Sequence, residues 1–326
     1  MIKRRHRILS VGEILVDFVS TKSGVMLESA PQFMKCAGGA AANVAVGISR
    51  LGTSSAFIGK VGDDSFGRFL IHELRASGVE TSGMVVDPRH KTRLAFVSLM
   101  NDGERDFEFW EQHPADEQLH ASEIDMDSLA KARIVNVGSF LLLKKPSRDT
   151  AFGVAKEARG LGLEVCFDPN LRLSLWDDRN ECRNVCTTML HLSTIVRMND
   201  TEAAFFTGSR TVEKAAEKIR KMGPSLVVIT LGSNGCYYQT HALSGSVGGF
   251  RIKPVDTTGC GDGFLAGLLH GIARSDKRIE EFLPEEMQAI CTVANAVGAL
   301  VAMKRGAIAA MPSGRDLRQF LESRRN

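Results

Sequence analysis

The segment Asp256-Thr257-Thr258-Gly259-Cys260-Gly261-Asp262-Gly263 runs directly into the apolar helical pattern Phe264-Leu265-Ala266-Gly267-Leu268-Leu269. Small residues at 259–261 allow a tight turn whose N–H groups converge on one point. That point lies at a helix N-terminus, where unpaired N–H groups and the dipole favour an anion. Asp262 shares the turn. A carboxylate beside an anion cradle suits removal of a proton from a hydroxyl that attacks a phosphoryl group held there. The alternative for Asp262 is simple helix capping.

A second segment, Gly38-Gly39-Ala40-Ala41-Ala42-Asn43, leads into Val44–Gly52 and continues through Phe57-Ile58-Gly59-Lys60-Val61-Gly62-Asp63-Asp64 to Phe66-Gly67. The glycine pair permits close approach of backbone to a ligand. Asn43, on the first turn, offers donors and an acceptor to hydroxyls. In a third segment, Gly12–Asp17, an Asp at the end of an apolar strand can accept two sugar hydroxyls or simply be a solvated strand end. Two familiar nucleotide motifs are not met. Gly59-Lys60 lacks the correctly spaced first glycine of a P-loop and is followed by Val61 rather than Ser or Thr. Gly160-Leu161-Gly162 lacks the third glycine of a dinucleotide fingerprint.

These residues need a frame. Apolar β-branched runs at Ile8–Val11, Ser55–Val61, Ile134–Val137, Glu164–Phe167, Thr194–Met198 and Leu226–Leu231 read as strands. Between and after them, helices are expected at Ala41–Leu51, Phe66–Ser77, Ser147–Leu161, Thr201–Phe206, Val212–Met222, Gly263–Arg274, Pro284–Lys304 and Gly314–Arg324. The alternation predicts an α/β fold with a mostly parallel sheet and helices on both faces, its ligands beyond the strands' carboxyl ends. Thr21–Cys36 and Lys91–His113 break the rhythm. They read as hairpins, with turns at Ser23-Gly24 and Asn101-Asp102-Gly103, that form a small separate sheet or lid.

The 326 residues fit one large α/β domain over 1–326, or one domain with a small appendage, and 44% apolar with 24% charged residues is ordinary for a globular chain. Forty-one Lys and Arg against 38 Asp and Glu give a net +3, too small to argue for nucleic acid. No run is long and apolar enough to span a membrane. The basic head Lys3–Arg7 reads as a frayed terminus before the first strand, because Glu13 and Asp17 interrupt the run that a signal peptide would need. The seven cysteines (36, 166, 182, 186, 236, 260 and 291) are odd in number and irregularly spaced. They read as reduced thiols of a cytoplasmic protein rather than a zinc site or disulfide framework.

The glycine-rich segments together resemble both signatures of the ribokinase family, also called the PfkB family of carbohydrate kinases, with similarity from about residue 8 to Pro312. Within the family the chain is similar to bacterial fructokinases. The segments that carry this are Thr92–Val97, Asp102–Phe107, Pro114-Ala115-Asp116 and Phe167-Asp168-Pro169-Asn170-Leu171-Arg172 followed by Leu175-Trp176. The resemblance implies a three-layer αβα kinase domain with a β-sheet lid, using ATP, Mg²⁺ and a monovalent cation such as K⁺ to phosphorylate a small sugar, and a homodimer through the lid. It implies Asp262 as catalytic base, with Gly259, Cys260 and Gly261 as anion hole. Asp17, Gly38, Gly39, Asn43 and Arg172 would meet the sugar. Asn199 and Glu202 would organise Mg²⁺ and phosphate through water. Thr230, Gly232, Gly235 and Asn295 would line the nucleotide site. Backbone around Asp256, Thr258, Val301, Lys304 and Gly306 would hold the monovalent cation.

Three positions depart from the family pattern. Cys260 replaces Ala, and Arg197 replaces a common Lys before Asn199, a change expected to be harmless. Trp110 is followed by Glu111-Gln112-His113 where an Arg is usual, which removes a cation near the sugar. Fructose is therefore the expected acceptor. The alternatives are 2-keto-3-deoxygluconate, another sugar or nucleoside, and a non-catalytic sugar-binding regulator, against which the intact Asp262 and Asn-x-x-Glu argue.

Overall fold

The computed structural model describes residues 8–99, 105–110 and 112–324. The expected turn at Asn101–Gly103, the basic head and Glu111 lie outside these residues. The strands are β1 (Ile8–Val11), β2 (Leu15–Ser20), β3 (Phe33–Gly38), β4 (Ser55–Gly62), β5 (Glu80–Asp87), β6 (Leu94–Leu99), β7 (Arg105–Phe109), β8 (Ile134–Val137), β9 (Glu164–Phe167), β10 (Ile195–Asn199), β11 (Leu226–Thr230), β12 (Cys236–Gln239) and β13 (Ser244–Val247). The α-helices are α1 (Ala40–Arg50), α2 (Ser65–Ala76), α3 (Met126–Ala130), α4 (Ser147–Gly160), α5 (Arg179–Leu192), α6 (Asp200–Thr207), α7 (Val212–Arg220), α8 (Cys260–Ala273), α9 (Pro284–Ala302) and α10 (Gly314–Glu322).

The large sheet has the order β13-β12-β11-β10-β9-β8-β1-β4-β5, parallel from β11 to β5 and closed at one edge by the antiparallel β12–β13 hairpin. Its central strands are apolar on both faces because both are covered. Alternate residues part accordingly. Ile8, Ile134, Ile195 and Leu226 pack with α1, α8 and α9. Leu9, Val135, Val165, Val196 and Val227 pack with α4, α5 and α7 on the other side. Caps fix where several helices begin: Asp64 Oδ1 accepts from Phe66 and Gly67 N–H at α2, and Asp178 accepts from Asn180 and Glu181 N–H at α5.

The small sheet has the order β3-β2-β6-β7. It corrects the expected lid. The first hairpin is not Thr21–Cys36 but β2 with β3, so Thr21–Gln32 is mostly the connection between them. Asp17 therefore sits in the middle of a lid strand, opposite Cys36, rather than at the end of a core strand. The second hairpin, β6 with β7, falls inside Lys91–His113. Helix α8 begins at Cys260, three residues before the expected start, so the small-residue turn is itself the first turn of the helix. Strands β5, β12 and β13 had no counterpart among the expected elements.

Candidate active site

A cavity of about 530 Å³ lies between the lid sheet and the main body. Period-2 alternation gives the lid its inner face: Leu15, Asp17 and Val19 of β2, Met34 and Cys36 of β3, and Phe107 and Phe109 of β7 all line the cavity. From the body come Glu13, Gly39, Asn43, Phe140, Arg172, Gly259, Asp262 and Arg305. The fold thus brings Asp17, Gly39, Asn43, Arg172, Gly259 and Asp262 to one space, with Asp256, Thr258 and Gly306 on its wall.

The glycines at this junction are there for shape. Gly39 caps α1 at φ 102°, and a Cβ there would stand 2.7 Å from the Glu13 carbonyl oxygen. Gly38 lies beside Asp17, where a Cβ would meet Oδ2 at 2.1 Å. Gly259 caps α8 at φ 75°. Positions 261 and 262 then fall in the first turn, where the helix's own ladder leaves N–H groups unused.

Asn43 and Asp262 meet directly. Asn43 Nδ2 donates to Asp262 Oδ2 at 2.7 Å, and Asn43 Oδ1 is buried without a partner. Burial pushes the Asp262 carboxyl up to about 6, and Asp168 adds to the rise. The Asn43 hydrogen bond and the cations Arg197 and Arg172 oppose it. Arg172 is held by the loop it follows: Nη1 donates to Asn170 Oδ1 at 2.8 Å and to the Leu171 carbonyl at 3.2 Å. Asn170 makes that loop in the left-handed region, at φ 39°.

Beyond the cradle lies a second group that does not line the cavity. Gly235, at φ 95°, has no room for a Cβ, which would stand 2.0 Å from the Val247 carbonyl oxygen. Asn295 Nδ2 donates to the Val247 and Gly248 carbonyls, both at 3.2 Å. Thr230 connects this side to the cradle, because its hydroxyl accepts from Arg197 Nη2 at 2.8 Å. Asn199 and Glu202 form a capping box at α6. Asn199 Oδ1 accepts from Glu202 N–H at 2.8 Å and Glu202 Oε2 from Asn199 N–H at 2.9 Å. Glu202 Oε1 accepts from Leu171 N–H at 2.6 Å.

Glu13, Asp168 and Arg93 were not singled out in the sequence. Glu13 was in view inside Gly12–Asp17, but nothing in its neighbours says that it is fully buried, with Oε1 accepting from Ala41 N–H at 3.2 Å and Oε2 unpartnered. Burial pushes its carboxyl up to about 7. Arg93 anchors the lid: Nε donates to Asp116 at 3.0 and 3.1 Å, Nη2 to Glu117 at 2.8 Å, and the guanidinium stacks near Phe109 and Phe140.

Residues 5–314 match the family described as pfkB family carbohydrate kinase. The chain belongs to the pfkB family. Probable fructokinase-7 of Arabidopsis thaliana is 42% identical over 328 residues, covering 98% of this chain and 93% of that protein. Among solved structures, the fructokinase of Xylella fastidiosa with bound ATP superposes with TM-score 0.90 at 28% identity, covering 99% of this chain and all of that one. A double mutant of the fructokinase of Vibrio cholerae O395, bound to fructose, ADP and potassium ion, gives TM-score 0.88 at 33% identity, covering 98% of this chain and all of that one. The pfkB kinase described here thus has the ribokinase-like α/β fold, with a large mostly parallel sheet and a smaller separate one.

The donor sets test which ions this pfkB kinase can hold. Among the described residues, no group of three or more His, Cys, Asp or Glu is placed to hold a metal ion. Both Glu202 oxygens are engaged by backbone N–H groups, which fits contact with Mg²⁺ through water rather than direct ligation. At the other loop, Asp256 Oδ1 accepts from Thr258 N–H and hydroxyl, and Oδ2 from Gly306 N–H at 3.0 Å. Asp256 thereby clasps the 256–258 segment to Gly306.

Proposed function

We propose that this protein is an ATP-dependent fructokinase, which moves the γ-phosphoryl group of ATP to a hydroxyl of fructose and yields fructose 6-phosphate. The observation that carries the reading is the Asn43–Asp262 hydrogen bond at the cavity, which joins the sugar-side glycine segment to the first turn of α8. Asp17, Gly39 and Asn43 hold the sugar, with Gly38 shaping the strand beside Asp17. Asp262 takes the hydroxyl proton. Gly259, Cys260 and Gly261 form the anion hole for the charge that develops as the phosphoryl group transfers. The transition state is loose, so positioning and charge stabilisation account for most of the rate. Arg172 lines the same cavity and meets the sugar.

Thr230, Gly232, Gly235 and Asn295 line the nucleotide site, where glycines permit close approach of the backbone. When bound, Mg²⁺ would neutralise the phosphates, held through water at Asn199 and Glu202. A monovalent cation would sit among the carbonyls around Asp256, Thr258, Val301, Lys304 and Gly306 and add positive charge beside the cradle. We read residues 1–326 as one kinase domain whose lid closes over the sugar, excludes water and serves as the contact in a homodimer. The free thiols fit a cytoplasmic enzyme.

A neutral ketose is the favoured acceptor because the Arg usual after the lid aromatic is absent, Trp110 being followed by Glu111-Gln112-His113, and a sugar acid needs such a cation for its carboxylate. The test is kcat/KM with fructose and with 2-keto-3-deoxygluconate in a coupled ADP-release assay. We expect fructose to be the better substrate. A higher value for the acidic sugar would overturn the assignment, and absence of ADP release with every acceptor would favour a sugar-binding regulator.

A further inference from the structure

Arg197, in the middle of β10, is 8% exposed and carries more contacts than its neighbours in sequence suggest. Nη1 donates to Asp168 Oδ2 at 2.8 Å and Nη2 to Thr230 Oγ1 at 2.8 Å. Both ends of the fork are therefore fixed. The third donor, Nε, is buried and has no partner, an arrangement that costs free energy and persists where something else holds the group in place. The guanidinium lies against the first turn of α8: a Cβ built on Gly261 would stand 2.7 Å from Nη1 and 2.8 Å from Nη2. Glycine is the residue that leaves room there for the cation.

We propose that Arg197 is a positioning residue for phosphoryl transfer, a buried cation that braces the cradle from below at Gly261 and fixes the turn that meets the transferred charge. This rests on the reading of 259–262 as anion hole and base. The fork lets one planar group bond Asp168 and Thr230 while lying against Gly261, and the charge itself is what the cradle requires. An ammonium is a point charge and serves fewer of these contacts. The charged groups facing Asp262 are Asp168 at the end of β9, Arg172 in the loop after it and Arg197, with Glu202 of α6 bearing on Arg197. Removing Arg197 leaves Asp168 less opposed, so Asp262 should hold its proton to higher pH. The bond to Thr230 also ties the nucleotide side to the cradle, so one side chain aligns donor and acceptor.

The test compares Arg197→Met, Arg197→Lys and Asp262→Asn with the parent enzyme. For Arg197→Met we expect kcat to fall at least about 10²-fold, the scale of losing one oxyanion donor. KM for fructose and Kd for a non-hydrolysable ATP analogue should stay within about threefold, and the acid limb of the kcat/KM profile should move to higher pH. Arg197→Lys, which keeps the charge, should retain kcat within about tenfold, with the acid limb in place. Arg197→Met with parental kcat and acid limb overturns the proposal. Should Asp168 left unpaired prevent that variant from folding, the lysine variant decides: a loss as deep as that of Asp262→Asn overturns the proposal, and the milder loss supports it. A slow Asp262→Asn beside a fast Arg197→Met removes only the role of Arg197. A fast Asp262→Asn removes the base assignment on which it rests.

Discussion

Asp262 has to be a carboxylate in a place that resists one. Burial raises it to about 6, and the Asn43 amide with two arginines keeps it from rising further. Below that pH the group carries its proton and cannot accept another. We therefore expect kcat/KM to fall with falling pH, with a limb near pH 6 that Asp262→Asn lacks; a profile flat from about pH 5 to 8 would count against the base. Glu13 runs into the same difficulty without an arginine beside it. Its folded-state carboxyl, raised to about 7 from 4.5, favours folding in the neutral form. That stability is complete below the unfolded value and disappears as pH rises through 7, a loss on the order of 3 kcal/mol. Gln keeps the acceptor for Ala41 N–H and does not titrate. The Tm of Glu13→Gln relative to the parent should therefore improve between about pH 5 and pH 8, and an unchanged difference would show that Glu13 titrates in the fold as it does in the unfolded chain. The environments of Asp262 and Glu13 were not legible in sequence, because desolvation depends on which segments close over a residue. Arg197 is the clearest case. As a replacement for lysine it reads as harmless, and only the return of the chain at Gly261 makes its fork matter.

Elements explain where the lid obtains its hold. Arg93 precedes β6 and is bonded to Asp116 and Glu117 beyond β7, with Phe109 of the lid and Phe140 of the body beside its guanidinium. Arg93→Met leaves Asp116 buried and unpaired, which should cost about 3–5 kcal/mol. Calorimetry would register a clear fall in Tm, with KM for the sugar raised because the lid base is loosened; an unchanged Tm would show that the ion pair is not a net support. Short core strands were readable because both faces are buried: Ile134–Val137 and Glu164–Phe167 have the expected bounds. The first lid hairpin was not. In β2 the inward Leu15 and Val19 alternate with Val16 and Phe18, so two apolar faces hide the period-2 signal and the strand reads as part of the core run. The β12–β13 hairpin escaped for the opposite reason, since Ser244–Val247 is a short edge strand with only one apolar side chain, Val247.

At the scale of the whole molecule, the main sheet is a frame that lets segments far apart in the chain face one another. Asn43 and Asp262 are separated by 219 positions, and the hydrogen bond between them is a contact of the finished fold alone. Seen in time rather than in space, this makes the catalytic centre one of the last things the chain acquires. During synthesis the amide exists long before its carboxylate partner emerges, and closing so long a loop is entropically costly until the intervening strands have paired. A truncated or half-folded chain therefore has helices, and even a lid, without a base, so it cannot squander ATP while it matures. In refolding from denaturant, kinase activity should return more slowly than far-ultraviolet circular dichroism. Equal rate constants for the two would mean that the pair forms early and that the chain is armed before it is complete.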